Sequence, residues 1–349
     1  MNASQSSPQQ EGGVAAEKLI DAFGRVHTDL RVSVTDRCNI RCRYCMPLDV
    51  TFKPREELLS FEEIERVVAV AAELGVRSIR LTGGEPLVRR DLHRLIERLL
   101  AVAGIDEVAL TSNGLLLKQQ AADLAAAGLS RINVSLDSLR EETFRELARS
   151  DGLSQVLAGL AEAKRVGLNQ IRLNAVSIRG LTEQDIVPLA RFAREQGFHL
   201  RFIEFMPLDA DQRWSQPQVL SGTDVRAVLE EAVGPLQPVA GNDPGQPAVD
   251  YRYADMPADT AGSLVGFIDP VTQPFCQRCD RLRLTADGQF RNCLFSTEEW
   301  DARQLLRDGC EDRALAELMQ ACVKAKREAH GIGTPSFTRP GRAMYEIGG

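Results

Sequence analysis

The chain has no apolar run approaching the length of a membrane-spanning helix, which argues against a helical membrane protein. Its N-terminus lacks the basic and apolar regions of a secretory signal, so a cytoplasmic location is expected. A surplus of positive charge is also missing. The formal net charge is -7, and nothing global points to nucleic acid. A fourth ligand of the kind a structural zinc site wants is not evident near the first cysteine group either: the nearest histidine, His27, lies upstream of a predicted strand.

What the chain does have is cysteine in an unusual arrangement. Eight are present, at 38, 42, 45, 276, 279, 293, 310 and 322. Six fall into two tight groups, so metal binding is expected rather than disulfide pairing. The first group, Cys38-Asn-Ile-Arg-Cys42-Arg-Tyr44-Cys45, puts three thiolates on one loop. Iron takes soft sulfur ligands, so this spacing suits an iron–sulfur cluster. A cubane of four irons held by three cysteines keeps one iron open for chemistry. The second group is Cys276-Gln-Arg-Cys279 with Cys293 further on, again without an evident fourth ligand. Structural zinc is the competing reading for both groups. Cys310 and Cys322 read as core thiols.

Strand patterns at 30–35, 78–82, 107–111, 131–136, 171–178 and 199–205 alternate with helical ones. Ser60 and Glu63 stand at capping-box spacing before the apolar face Ile64, Val67, Val68, Ala71 and Leu74. Six βα units without a clean seventh predict an α/β fold, an incomplete six-stranded (β/α) barrel. Residues 1–20 are expected to be a disordered tail, 21–206 the partial barrel, and 207–349 a C-terminal region carrying the second cysteine group. Within that region, 207–260 reads as a connector packed against the open side of the barrel, 262–268 as a short strand, and 302–328 as helical. Barrel sites lie at the C-terminal strand ends, where the first cysteine group, Gly83-Gly84-Glu85-Pro86, Ser112-Asn113-Gly114, Ser135 with Asp137, and Met206 collect. The two glycines allow close backbone approach to a ligand, but the turn lacks the pattern of a phosphate loop.

Arg281 and Arg283 alternate along an extended segment, so both face one side. Beside a cluster they make an anion site, since guanidinium binds phosphate oxygens bidentately. A solvated strand face is the bland alternative. Arg31, Arg80, Arg172 and Arg201 favour the anion reading, because each lies in or beside a strand where an uncompensated inward charge is expensive. A polyphosphate would compensate them.

These residues resemble those of the radical S-adenosylmethionine (SAM) superfamily, through the spacing of Cys38, Cys42, Tyr44 and Cys45 and through Gly83-Gly84-Glu85-Pro86. More narrowly, the chain is similar to the GTP 3',8-cyclase family of molybdenum cofactor biosynthesis. That similarity rests on Arg-Leu-Thr-Gly-Gly-Glu-Pro at 80–86, Ile-Asn-Val-Ser-Leu-Asp at 132–137, Arg-Phe-Ile-Glu-Phe-Met at 201–206, and Cys276-x2-Cys279-Asp-Arg-Leu-Arg-Leu with Cys293. The resemblance implies two 4Fe–4S clusters. The first, on Cys38, Cys42 and Cys45, would cleave SAM to a 5'-deoxyadenosyl radical. The second, on Cys276, Cys279 and Cys293, would hold GTP. It implies that the ribose 3'-carbon of GTP bonds to guanine C8, giving (8S)-3',8-cyclo-7,8-dihydroguanosine 5'-triphosphate. It assigns Tyr44, Gly84, Ser135 and Met206 to SAM, and Arg31, Arg80, Thr111, Arg172, Arg201, Arg281, Leu282 and Arg283 to GTP, with Leu282 acting through its backbone. It further implies an electron donor, a downstream cyclic pyranopterin monophosphate synthase and a homodimer.

Two positions depart from relatives. Residue 172 is Arg where several carry Lys, and residue 78 is Ser where one carries a basic residue. The Gly348-Gly349 end matches the family's tail, which is expected to reach into the site. The alternative is another twin-cluster radical SAM enzyme acting on a peptide or other small substrate. A third reading, an electron carrier, fits Tyr44 and the Gly83–Pro86 turn poorly.

Overall fold

The computed structural model describes residues 18–240, 245–258 and 260–349. Six parallel strands form its centre: β1 (Asp29–Ser33), β2 (Ser78–Thr82), β3 (Glu107–Ser112), β4 (Arg131–Ser135), β5 (Ile171–Ser177) and β6 (His199–Glu204). They lie side by side in chain order. The helices joining them are Phe61–Glu73, Leu92–Leu100, Leu117–Ala126, the pair Glu141–Ala148 and Leu153–Arg165, and Ile186–Gln196.

The local sequence explains these elements. Ser60 accepts from the Glu63 backbone N–H and Glu63 accepts from that of Ser60, so both orphan donors at the start of the first helix are satisfied. Its apolar face, Ile64, Val67, Val68 and Ala71, is fully buried. In the strands the alternation sorts two surfaces. Leu30, Val32, Ile79, Leu81, Val108, Leu110, Ile132, Val134, Leu173 and Leu200 join the main hydrophobic core. Their neighbours Arg31, Arg80, Thr111, Asn133, Ser135, Asn174 and Arg201 line an interior cavity. The interior side of these strands is therefore rich in polar side chains, and burial on the helix side holds the sheet together.

The stretch 207–260 is more than the expected connector, since it carries two strands of its own, and the C-terminal region as a whole joins the sheet. It extends the sheet at both edges with β7 (Leu236–Pro238), β8 (Val249–Tyr253), β9 (Leu264–Ile268), β10 (Arg281–Leu284), β11 (Gln289–Arg291) and β12 (Trp300–Asp301). β10 pairs parallel with β1, and β9 pairs parallel with β6. The sheet stays open: β1 and β6 meet strands of the C-terminal region rather than each other. The expected 302–328 helical region is two helices, Ala302–Arg307 and Asp312–Lys324, parted at Gly309, whose φ of 74° favours glycine.

Most of the expected N-terminal tail, 1–17, lies outside the described residues. Its end does not behave as a tail. Leu19 is fully buried and its N–H reaches the carbonyl of Leu74, while Ile20 bridges Val26 across a short hairpin.

Candidate active site

The first cysteine group is held from three sides. The Gly84 N–H donates to the Thr35 carbonyl and the Glu85 N–H to that of Arg37, both at 2.7 Å. A Cβ at Gly84 would stand 2.4 Å from the Arg37 carbonyl oxygen. The close approach expected of these glycines is thus to the chain entering Cys38. Gly84 also lines the interior cavity. Glu85 is buried and accepts from the N–H groups of Leu87 and Asn113 and from the Ser112 hydroxyl. Burial pushes its carboxyl up to about 7, against those hydrogen bonds. Asn113 in turn donates its amide to Asn39 and, at 3.7 Å, to the Cys38 Sγ. On the other side the Tyr44 hydroxyl donates to Asp137 at 2.6 Å, and Asp137 also accepts from the Val176 N–H. Burial drives the Cys38 thiol up to about 11 and also raises Cys42 and Cys45.

The second group sits where β10 begins. In register, Arg283, Arg31 and Arg80 stand on three adjacent strands, β10, β1 and β2. Burial, then repulsion from Arg281 and Arg80, lowers Arg31 to about 9; burial also brings Arg80 and Arg201 down to about 10. Asp29 is the carboxylate at their foot. Burial raises it, but Arg31, Arg80 and Arg281 outweigh that and hold it below the usual range. The Nε atoms of Arg31, Arg80 and Arg201 and the Nη2 of Arg281 are buried without a hydrogen-bond partner. Unmade hydrogen bonds of buried cations are costly, so these donors fit an anion with several acceptor oxygens. Cys279 moves the opposite way from Cys38, Cys42 and Cys45. Burial raises it, but Arg281 and Lys326 outweigh burial and bring it down to about 7.

Both triads wall one cavity of about 300 Å³. Of the residues singled out in the sequence, the six cysteines, Tyr44, Gly84, Ser135, Met206, Arg31, Arg80, Thr111, Arg201, Arg281 and Arg283 line it. Arg172 and Leu282 do not. Arg172 lies outside the wall, its guanidinium lowered to about 9 by burial and by Arg201. The Leu282 side chain points into the main core and is fully buried. Ser78 donates to Glu107, which also accepts from Arg131. Cys322 is buried in the main core and Cys310 packs against it, as expected of core thiols. The tail reaches the site: Arg283 donates to the Gly348 carbonyl at 2.7 Å, and Gly349 lines the cavity. Residues missed in the sequence are Asn133, Asn174, Asn292 and His330. The first two lie two positions from Ser135 and Arg172, so strand alternation could have found them.

Among the described residues, no three His, Cys, Asp or Glu side chains converge as the ligands of a single ion must. Thiolates of a cubane each take a different iron, so they surround a volume rather than a point, and three thiols on a cavity wall suit that geometry.

Residues 32–193 match the Radical SAM superfamily and residues 198–332 match Molybdenum Cofactor Synthesis C. The GTP 3',8-cyclase of Rhodopirellula baltica is 49% identical over 333 residues, 95% of this chain and 92% of that protein. The GTP 3',8-cyclase of Mycobacterium marinum is 45% identical over the same shares of both chains. The chain belongs to the GTP 3',8-cyclase family. Family members use SAM and two 4Fe–4S clusters. Among solved structures, SuiB of Streptococcus suis aligns with a TM-score of 0.59 at 16% identity, covering 93% of this chain and 77% of that one. SuiB bound to S-adenosylmethionine aligns at 0.58, also at 16% identity, covering 87% and 68%. At that identity the likeness speaks to the radical SAM fold alone.

Proposed function

We propose that the chain is a radical SAM GTP 3',8-cyclase. It converts GTP to (8S)-3',8-cyclo-7,8-dihydroguanosine 5'-triphosphate in molybdenum cofactor biosynthesis. The carrying observation is that one cavity is walled by both cysteine triads and by buried arginines, four of which (Arg31, Arg80, Arg201 and Arg281) keep an N–H without a hydrogen-bond partner. Cys38, Cys42 and Cys45 hold the first cluster in this reading, with Tyr44, Gly84, Ser135 and Met206 around SAM. When bound, that pair supplies one-electron reductive chemistry. The protein's own part is to bind, orient and exclude water.

Cys276, Cys279 and Cys293 hold the second cluster. Arg31, Arg80, Arg201, Arg281 and Arg283 take the polyphosphate, and Thr111 faces the same space. Leu282 contributes only its backbone, since its side chain is in the core. Arg172, paired in register with the strand that carries Arg201, stays in the GTP set. The stretch 21–206 then carries the SAM residues together with Arg31, Arg80, Thr111, Arg172 and Arg201 of the GTP set, and 207–349 adds the second cluster with Arg281, Leu282 and Arg283.

An electron donor for the first cluster, a downstream cyclic pyranopterin monophosphate synthase and a homodimer belong to the same reading, as does a cytoplasmic location. Among the described residues, no helix is long and apolar enough to cross a membrane.

The double variant Arg281→Ala, Arg283→Ala tests the substrate assignment. Hydrogen bonds to charged groups are worth about 1.5–3 kcal/mol each, so GTP affinity should fall by roughly two orders of magnitude or more. The variant should still cleave SAM and make no cyclised nucleotide by mass spectrometry. Cyclisation at the wild-type rate would remove GTP from the account.

A further inference from the structure

The second triad has a back as well as a front. A smaller cavity of about 60 Å³ lies behind it, walled by Cys276, Cys279 and Cys293 together with Arg25 and Lys326. Neither cation lines the front cavity. Lys326 follows the helix Asp312–Lys324 and is 4% exposed. Its Nζ lies 3.0 Å from the Cys279 carbonyl, 3.0 Å from the Arg281 carbonyl, 2.9 Å from the His27 Nε2 and 3.5 Å from the Cys279 Sγ. A group that donates in so many directions uses all three N–H bonds of an ammonium.

His27 makes this arrangement one-directional. Its Nδ1 is 3.1 Å from the Arg25 carbonyl, which can only accept, so Nδ1 carries the proton and Nε2 of the neutral ring accepts from Lys326. Burial, then the charge of Lys326, depresses His27 to about 3, which keeps that ring neutral. Arg25 completes the brace. It is paired with Asp21 and donates to the carbonyls of Cys276, Glu328 and Arg327 at 2.6–2.9 Å. The N-terminal hairpin thereby clamps a cysteine turn some 250 positions away in the chain.

We propose that Lys326 is a positioning residue for the second iron–sulfur cluster, fixing Cys279 and holding that cluster's reduction potential above the value its thiolates alone would give. The physical basis is general. Hydrogen bonds to cluster sulfurs and positive charge beside them favour the reduced, more negative cluster. Two clusters that face one cavity draw on one electron supply, so their relative potentials decide which is reduced first. The inference rests on the proposed ligation by Cys276, Cys279 and Cys293.

The test is an EPR-monitored redox titration of the full-length, reconstituted holoenzyme with dithionite, paired with an iron count. In Lys326→Met the second cluster's midpoint should move to lower potential while the first stays put. Each tenfold loss in the reduction equilibrium reads as about 59 mV for one electron. Lys326→Arg, which keeps donor and charge, should restore most of the shift. Loss of only the second cluster's irons from Lys326→Met would also support the positioning role. If that variant does not fold, Lys326→Gln, which keeps an N–H without the charge, takes its place in the titration, and a lowered second midpoint there supports the proposal in the same way. Midpoints unchanged at about eight irons per chain (two cubanes), or shifted equally in both clusters, would overturn the proposal. A wild-type count of about four irons would instead overturn the ligation on which it rests, before any variant is read.

Discussion

Glu85 shows how single residues hold the cysteine loop. It is buried, accepts three hydrogen bonds, and ties the end of β2 to the end of β3 one residue from the glycine that touches the chain entering Cys38. An amide in its place has one acceptor oxygen and turns donors toward donors. Glu85→Gln is therefore expected to destabilise the apo-protein by about 1–3 kcal/mol in denaturant unfolding, and to lower iron uptake at the first triad. Unfolding at the wild-type midpoint would mean that Glu85 holds little. At this scale the site is largely legible in the sequence, because both triads and the inward arginines break the pattern of a folded chain. Asn133 and Asn174 escape because a neutral amide on a strand raises no alarm, and Lys326 because its partners lie 45 to 299 positions away.

At the scale of elements, β2 spans Ser78–Thr82 as its pattern predicts, and β3 to β6 depart by one residue at most. These strands are short apolar and β-branched runs separated by amphipathic helical stretches, so local signals suffice. Of the flanking strands, β9 and β10 show as short extended stretches in the sequence, and the others leave little trace. β7 has three residues and β12 two, and the pairings of β10 with β1 and of β9 with β6 are set by contacts that no local window sees. Gly83-Gly84 reads in the sequence as making room for a ligand; its immediate neighbour is the backbone at 35–37. Ala at 84 would press a methyl against the carbonyl oxygens of Arg37 and Asp36, at 2.4 and 2.7 Å, and backbone cannot rotate away as a side chain would. Gly84→Ala is expected to cost about 1–3 kcal/mol as overpacking and to halve the iron content, sparing the second triad. A full complement of iron in that variant would contradict the account of this turn.

The whole molecule is arranged around charge that folding alone does not satisfy. Its net charge is -7, yet its interior collects Arg31, Arg80, Arg201, Arg281 and Arg283 around one cavity. Burial and mutual repulsion lower Arg31, Arg80, Arg201 and Arg283, so a polyanion that binds there must stabilise the fold. Inorganic triphosphate is expected to raise the thermal midpoint of the apo-protein, by the equivalent of about 2.7 kcal/mol at a hundredfold excess over its Kd, and more weakly as salt rises. A midpoint indifferent to triphosphate would remove the polyphosphate reading of the arginines. The open sheet serves the same end. Because β1 and β6 accept C-terminal strands on their outer edges, the second triad and the Gly348-Gly349 tail meet the first triad across one space.

The most direct measurement is an anaerobic assay of the wild-type chain. It would be reconstituted with iron and sulfide, supplied with SAM, dithionite and GTP, and followed by mass spectrometry with an iron count. The account predicts about eight irons per chain (two cubanes), with 5'-deoxyadenosine formed and the cyclised triphosphate appearing alongside it when GTP is present. 5'-Deoxyadenosine with GTP returned unchanged would contradict the substrate, and neither product from a fully loaded chain would contradict the catalytic reading itself.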